Sequence, residues 1–189
     1  MMTDSEILRL FRDTRALLDG HFLLRSRLHS GQYFQCALVL QHPRLAERLC
    51  GELATKLKDV GAQTVVSPAL GGLFVGHEVA RALNARHVFV EKNSIGKLEL
   101  RRGFHLAPHE KVLVVEDVVT KGGRVQETMD IVRGLGAEVV GVGTLVDRSG
   151  GKVDFGVRLE SLLRLHIETY DPAVCPLCQA GTPLVKPGS

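Results

Sequence analysis

The sequence predicts an α/β fold in which a parallel sheet is flanked by helices, and three observations support this prediction. Continuous apolar runs, such as the one that begins at Lys111, are typical of strands buried on both faces of a parallel sheet. Amphipathic helical patterns alternate with these runs along the chain. Glycine turns join a strand directly to a helix at two places. The 189 residues fit a single domain over residues 1–189.

Composition and charge exclude several classes of protein. The 24 basic and 21 acidic residues leave a net charge of +3, which is too small to indicate nucleic-acid binding but suits a small anionic ligand if the excess is local. No apolar run approaches the roughly 20 residues that span a bilayer. Asp4 and Glu6 precede the first apolar pair, unlike in a signal peptide, and four cysteines make no disulfide framework. We therefore expect a soluble cytoplasmic protein that binds neither membrane nor nucleic acid.

The first third of the chain predicts two helices and a hairpin. Apolar residues at helical spacing predict an amphipathic helix over residues 3–18, which Gly20 ends. Residues 21–35 alternate poorly and bring aromatic, basic and hydroxyl side chains together, which on composition alone indicates a surface hairpin. A second helix is predicted over residues 43–60, with Pro43 in its first turn.

A buried strand and the first glycine turn come next. The strand is predicted over residues 64–67, the turn over residues 68–72 and the following helix over residues 73–84. Because ligands of open α/β sheets bind beyond the carboxyl ends of strands, the backbone amides of Gly71 and Gly72 are candidates for binding an anion. A tight strand-to-helix connection without a ligand is the alternative.

A basic segment follows the strand predicted over residues 87–91. Residues 92–103 contain a glycine, lysines and arginines where the chain leaves the sheet edge, and this pattern favours a mobile flap. A solvated hairpin is the alternative.

The stretch from Lys111 to Arg124 carries the most specific signal. Its apolar first half predicts a buried strand that ends at two adjacent carboxylates, Glu116 and Asp117. Thr120 and two glycines follow, and a helical pattern begins at once, so the helix amino terminus would offer N–H groups to a phosphate. Adjacent carboxylates repel each other, so an ordinary strand-to-helix turn would give no reason for the pair. Carboxylates do accept hydrogen bonds from sugar hydroxyls, which gives the pair a role in ligand binding. Both parts together suit a ribose phosphate.

The last part of the chain predicts two more strands and a tail. The strand over residues 138–146 ends in an Asp-Arg pair, in which Arg148 could bind a planar carboxylate through two parallel hydrogen bonds; a surface Asp-Arg turn is the alternative. A strand over residues 162–167 completes the sheet. The tail, residues 171–189, contains a single C-x-x-C pair, which supplies two ligands where zinc needs four. We therefore expect a packed tail rather than a metal site or a redox site there.

The run VLVVEDVVTKGG, over residues 112–123, resembles the phosphoribosyl-pyrophosphate (PRPP) binding motif of type I phosphoribosyltransferases, and it is most similar to the form found in orotate phosphoribosyltransferases. The resemblance implies that the phosphoribosyl group of PRPP is transferred to orotate, giving orotidine 5′-monophosphate and pyrophosphate in pyrimidine biosynthesis. It implies Mg²⁺ held mainly by the pyrophosphate, with no protein metal ligands. It also implies a PRPP site made of the motif, the earlier glycine turn and a lysine: Glu116, Asp117, Val118, Val119, Thr120, Lys121, Gly122, Gly123, Arg124, Lys92, Gly71 and Gly72.

The same resemblance assigns roles to other segments. It implies an amino-terminal hood, mainly residues 20–36, and a flap, about residues 92–103, that closes over PRPP and crosses to the partner subunit of a homodimer. Residues of the hood, the motif and the Asp-Arg pair would bind orotate: Thr120, Arg148, Arg25, Tyr33 and Phe34. Three residues would be catalytic: Lys92, Lys97 and Asp117.

Two other functions stay open. A phosphoribosyltransferase for a purine base would have the same fold and PRPP site, but Arg148 would then have no carboxylate to bind. A non-catalytic regulator that senses PRPP and binds RNA or DNA would need a clustered basic surface, which the net charge of +3 does not support.

Overall fold

The computed structural model describes residues 2–24 and 26–187. Its helices are α1 (Asp4–Asp13), α2 (Ala37–Leu40), α3 (Pro43–Leu57), α4 (Gly72–Leu83), α5 (Gly123–Gly134) and α6 (Pro176–Gln179). Its strands are β1 (Leu17–Leu23), β2 (His29–Phe34), β3 (Thr64–Pro68), β4 (Arg86–Lys92), β5 (Leu98–Leu100), β6 (Lys111–Val119), β7 (Glu138–Asp147), β8 (Leu159–Arg164) and β9 (Thr169–Tyr170). The predicted α/β class is confirmed.

The main sheet has six strands in the order β5-β4-β3-β6-β7-β8. Every neighbouring pair is parallel except β4 and β5. The central strand β6 is buried on both faces, as its apolar run predicts: Leu113 and Val115 pack in one core with α3 and α4, whereas Val112 and Val114 pack in a second core with α5. Helices on both faces leave the carboxyl ends of β3, β4 and β6 as a common edge.

A smaller antiparallel sheet has the order β1-β2-β9 and contains most of the segment predicted as the hood, so we use that name for this sheet. Leu17 and Leu18 of β1 pair with Phe34 and Tyr33 of β2, and β9 from the carboxyl-terminal part of the chain adds to the other side of β2. Farther along the tail, Val185 exchanges backbone hydrogen bonds with β1. The hood is therefore built from both ends of the chain.

Two predicted elements are wrong in their bounds. The first helix was predicted over residues 3–18 but ends at Asp13, because Arg15 adopts a left-handed backbone (φ 57°) and the residues after it pair in the hood. Gly20 lies inside β1 and ends no helix. The last strand of the main sheet covers Leu159–Arg164, earlier than the predicted residues 162–167.

The segment after β4 starts as a short hairpin, because β5 turns back and pairs with β4. Its closure over a ligand stays a prediction.

Across the described ranges, every helix is too short or too polar to cross a lipid bilayer. The cytoplasmic location also stays a prediction.

Candidate active site

A cavity of about 800 Å³ opens at the carboxyl ends of β3, β4 and β6. The hood lies beside it, and both glycine turns reach it. Many of the residues predicted for the site line this one cavity: Tyr33, Phe34, Gly71, Lys92, Glu116, Asp117, Val118, Thr120 and Arg124. The volume and the polar lining suit a ligand of the size of a sugar phosphate with a small ring.

The two adjacent carboxylates are held at the end of β6 by the local backbone. Glu116 is only 7% exposed, and its Oε1 accepts a hydrogen bond from the N–H of Asp117 at 3.0 Å. Asp117 Oδ1 accepts from the N–H of Val118 at 2.8 Å, and its carbonyl accepts from the Thr144 hydroxyl at 3.1 Å. Burial, and next the negative charge of Asp117, raise the pKa of Glu116 well above its ordinary value. The protein therefore keeps two carboxyl groups together where their proximity is unfavourable.

The first glycine turn makes room for this pair. A Cβ at Gly71 would lie 2.9 Å from both carboxylate oxygens of Asp117, and a Cβ at Gly72 would lie 3.1 Å from Glu116 Oε1. Because β3 and β6 are neighbours in the sheet, the turn after β3 and the carboxylates of β6 meet at the same edge. The first glycine turn and the acid pair therefore form one site. In this turn Gly71 lines the cavity, whereas Gly72 is buried and does not.

The second glycine turn leaves the amino terminus of α5 open. Gly122 precedes the helix with φ 76°, and a Cβ there would lie 2.8 Å from Val153 and 2.9 Å from Phe155, so both conformation and space require glycine. Within the described residues, no side chain caps this helix. Its first N–H groups, next to the cavity-lining Thr120 and Arg124, suit a phosphate.

The predicted cations differ in their positions. Lys92 ends β4 and lines the cavity beside Glu91, whose carboxylate is bound by Arg102 at 2.8 Å. Lys97 lies outside the lining, in the turn between β4 and β5, where its N–H donates to Asn93 Oδ1 at 3.0 Å. The geometry thus supports Lys92 more directly than Lys97.

Arg148 follows β7 and is not among the residues that line the cavity; its backbone N–H donates to the carbonyl of Val119 at 2.8 Å. Its Nε is buried and has no hydrogen-bond partner among the described residues. Burial lowers the pKa of this guanidinium, and its interaction with the cavity-lining Tyr33 partly opposes that effect. A buried donor without an acceptor is costly, so this guanidinium is suited to an anionic partner.

Several predicted residues are not part of the cavity lining. Besides Gly72 and Lys97, they are two buried residues, two exposed residues of the second turn and the half-buried arginine after β7: Val119, Gly122, Lys121, Gly123 and Arg148. Arg25 lies outside the described residues. Leu70 and Phe74 also line the cavity and are 80% and 61% exposed; they were not predicted, because isolated apolar side chains in a turn and a helix carry no functional signal.

Comparisons with known proteins agree with this geometry. A family model described as the phosphoribosyl transferase domain matches residues 39–155. The chain is 56% identical to an orotate phosphoribosyltransferase of Desulforamulus reducens over 188 residues, which cover 100% of this chain and 98% of the relative. It is 54% identical to an orotate phosphoribosyltransferase of Pelotomaculum thermopropionicum, with the same coverage. In structure it is similar to an orotate phosphoribosyltransferase from Aeropyrum pernix, with a TM-score of 0.70 and 25% identity over 84% of this chain and 93% of the other.

Proposed function

This chain belongs to the orotate phosphoribosyltransferases, and we propose that its cavity transfers the phosphoribosyl group of PRPP to orotate, giving orotidine 5′-monophosphate and pyrophosphate. The observation that carries the proposal is the acid pair, Glu116 and Asp117, which lies in one cavity with the open amino terminus of α5. Carboxylates and free amides at this spacing complement the two polar ends of a ribose 5-phosphate.

We propose that the protein holds PRPP at three points. The amides of residues 120–124 bind the 5′-phosphate, where the partial positive charge of the helix terminus favours an anion. Glu116 and Asp117 accept hydrogen bonds from the ribose hydroxyls. The backbone of the Gly71 turn and the ammonium of Lys92 bind the pyrophosphate.

The reaction displaces pyrophosphate from the anomeric carbon by a nitrogen of the pyrimidine ring. Positive charge develops on the sugar in an oxocarbenium-like transition state, and the two carboxylates next to the ribose stabilise it electrostatically. Mg²⁺, held mainly by the pyrophosphate, would supply positive charge to the leaving group, and the carboxylates of Glu116 and Asp117 give the cavity the oxygen-rich lining that such a cation prefers. Lys92 adds positive charge on the same side. Lys97 stays our proposal for the cation that closes over the site and excludes water.

We propose that orotate lies between the hood and the second glycine turn. Arg148, whose buried Nε has no acceptor in residues 2–24 and 26–187, binds the carboxylate of orotate. Tyr33 and Phe34 at the end of β2 cover the ring, and the Thr120 hydroxyl orients it. Because orotate is already an anion, this arrangement works by positioning and needs no strong base.

We propose that two copies of the chain form a homodimer. Leu70 and Phe74 expose large apolar surfaces at the rim of the cavity, and Ile95 is 75% exposed in the turn between β4 and β5. Apolar side chains grouped near a ligand site favour a covering partner. Sedimentation equilibrium of the full chain should give the mass of two chains. The replacement Phe74→Asp should shift it towards one, whereas Val174→Asp, at an exposed valine in the tail, should leave the dimer intact.

The proposed reaction is tested by mixing the protein with PRPP, Mg²⁺ and orotate. We expect loss of orotate absorbance and the formation of orotidine 5′-monophosphate, identified by mass. In parallel reactions uracil and hypoxanthine should react at least about 10²-fold more slowly, because neither offers a carboxylate to Arg148. Faster reaction with hypoxanthine than with orotate would overturn the proposal in favour of a purine enzyme.

A further inference from the structure

Four side chains that can bind a metal ion meet on the hood, away from the cavity. They are His21 of β1, His29 of β2, and Cys175 and Cys178 at the start of α6. Their ligand atoms all lie within 4.8 Å of one another. The first three are buried and Cys178 is exposed, so the cluster lies just beneath the surface.

The distances within this cluster resemble those of a tetrahedral site. His21 Nε2 lies 3.5 Å from Cys175 Sγ and 3.8 Å from Cys178 Sγ, and His29 Nδ1 lies 3.3 Å from Cys178 Sγ. Zinc bonds of about 2.0–2.3 Å in a tetrahedron place neighbouring ligand atoms about 3.4–3.8 Å apart. The two ring nitrogens are closer, at 2.8 Å, and would separate by about half an ångström around an ion.

The hydrogen bonding of His21 favours the tautomer that can bind a metal through Nε2. Its Nδ1 lies 2.8 Å from the carbonyl oxygen of Thr182, which can only accept, so Nδ1 carries the proton and donates it. A neutral His21 then presents an unprotonated Nε2 to the other three groups. A backbone carbonyl that fixes the tautomer in this way is the usual second partner of a metal-binding histidine.

A hydrogen-bonded cluster without a metal ion accounts for the contact between the two histidines but not for the convergence of the two thiols. A bond between His21 Nε2 and His29 Nδ1 would account for their contact, but both sulfur atoms would then be left with weak S–H interactions. Four converging donor atoms of mixed nitrogen and sulfur type are the ligands that zinc prefers, whereas Mg²⁺ and Ca²⁺ prefer oxygen.

We propose that His21, His29, Cys175 and Cys178 bind a structural Zn²⁺ ion. All four positions are filled by protein, so the site leaves no place for a substrate and its role is to hold the chain together. It joins the hood hairpin to the tail at the place where Tyr170 pairs with His29 and Val185 bonds to the backbone of β1. The other end of the same hairpin carries Tyr33 and Phe34 into the cavity, so the ion steadies the cover of the active site from outside it.

The proposal is tested by the metal content of the full-length protein, purified without chelators and passed over a chelating resin. We expect about one zinc per chain in the wild type, and at least a tenfold lower content in the double variant Cys175→Ala/Cys178→Ala. Cys50→Ala is the matched control, because Cys50 is a free buried thiol in the core around α3, and it should keep the zinc. After zinc is removed, Co²⁺ added under reducing conditions should give the visible bands of a tetrahedral thiolate complex.

A variant that keeps a ligand separates metal binding from misfolding. Cys178→His should retain zinc and shift the cobalt bands, whereas Cys178→Ala should lose the zinc and the cobalt bands. His105→Ala, at an exposed histidine, should change neither the zinc content nor the cobalt bands. Wild-type protein without zinc that also gives no cobalt bands would overturn the proposal. So would zinc retained by the double variant, or a disulfide between Cys175 and Cys178 in freshly purified protein. None of these results depends on the reaction in the cavity.

Discussion

Replacing Glu116 and Asp117 together with glutamine and asparagine should lower kcat/KM for PRPP by about 10³-fold. Hydrogen bonds to a charged acceptor are worth about 1.5–3 kcal/mol each, and a neutral amide keeps about half of that. The negative charge of the pair is lost as well and no longer stabilises the oxocarbenium-like transition state, and about 1.4 kcal/mol corresponds to each factor of ten. Steady-state kinetics at saturating orotate and Mg²⁺ measure the change. The matched control is Asp130→Asn on the exposed side of α5, which should keep full activity.

The same double variant should be more stable than the wild type at neutral pH. Burial and the charge of Asp117 raise the pKa of Glu116 above its ordinary value of 4.5, so the unfolded chain releases that proton more readily than the folded protein. The stability cost of Glu116 is therefore absent well below pH 4.5 and grows as the pH rises through and above that value. Thermal unfolding should show a higher Tm for the double variant than for the wild type at pH 7.5, and no such difference at pH 4. Full activity of the double variant would mean that the pair does not bind the ligand. A loss of stability at pH 7.5 would mean that the pair stabilises the fold.

Replacing Arg148 with methionine should raise KM for orotate by about 10²-fold or more. The guanidinium is partly buried and its buried Nε has no acceptor within the described residues, so a bound carboxylate would be its main partner. Removing one side of a buried, charge-assisted pair costs about 2–5 kcal/mol. The KM of Arg148→Lys for orotate should lie between the values of the wild type and of Arg148→Met, because lysine keeps the charge and loses the planar guanidinium. The comparison is made by initial rates at fixed PRPP with varied orotate.

Selectivity and stability together identify the role of Arg148. The methionine variant should lose most of its preference for orotate over uracil, and its free energy of unfolding should not fall, since it removes a buried donor that has no acceptor in the described part of the chain. Arg133→Met, at an exposed arginine of α5, is the control and should change neither property. An unchanged ratio of orotate to uracil rates in Arg148→Met would contradict the assignment.

The central part of this fold was predictable from the sequence because its signals are local. An apolar strand, two carboxylates, a glycine turn and a helix follow one another within residues 111–134, and the structure has β6 and α5 there. The first helix was not predictable to its end. Leu17 and Leu18 fit the apolar stripe of a helix, but pairing with β2 in the hood, a tertiary effect, places them in a strand.

Contacts between distant segments were the part that could not be predicted. The clash that a side chain at Gly71 would have with Asp117 depends on the neighbouring positions of β3 and β6, which no local pattern specifies. The histidines of the metal cluster likewise lie about 150 residues from its cysteines. A single C-x-x-C pair therefore indicated too few ligands until the fold brought the two ends of the chain together.

The most direct test of the account is a binding cycle between the acid pair and the sugar hydroxyls. Calorimetry would compare orotidine 5′-monophosphate with its 2′,3′-dideoxy analogue, on the wild type and on the Glu116→Gln/Asp117→Asn variant. We expect loss of the hydroxyls to weaken binding to the wild type by about 10²-fold and binding to the variant by much less, because the partners of the hydroxyls are already altered there. An equal loss of affinity in both proteins would contradict the assignment of Glu116 and Asp117 to the ribose.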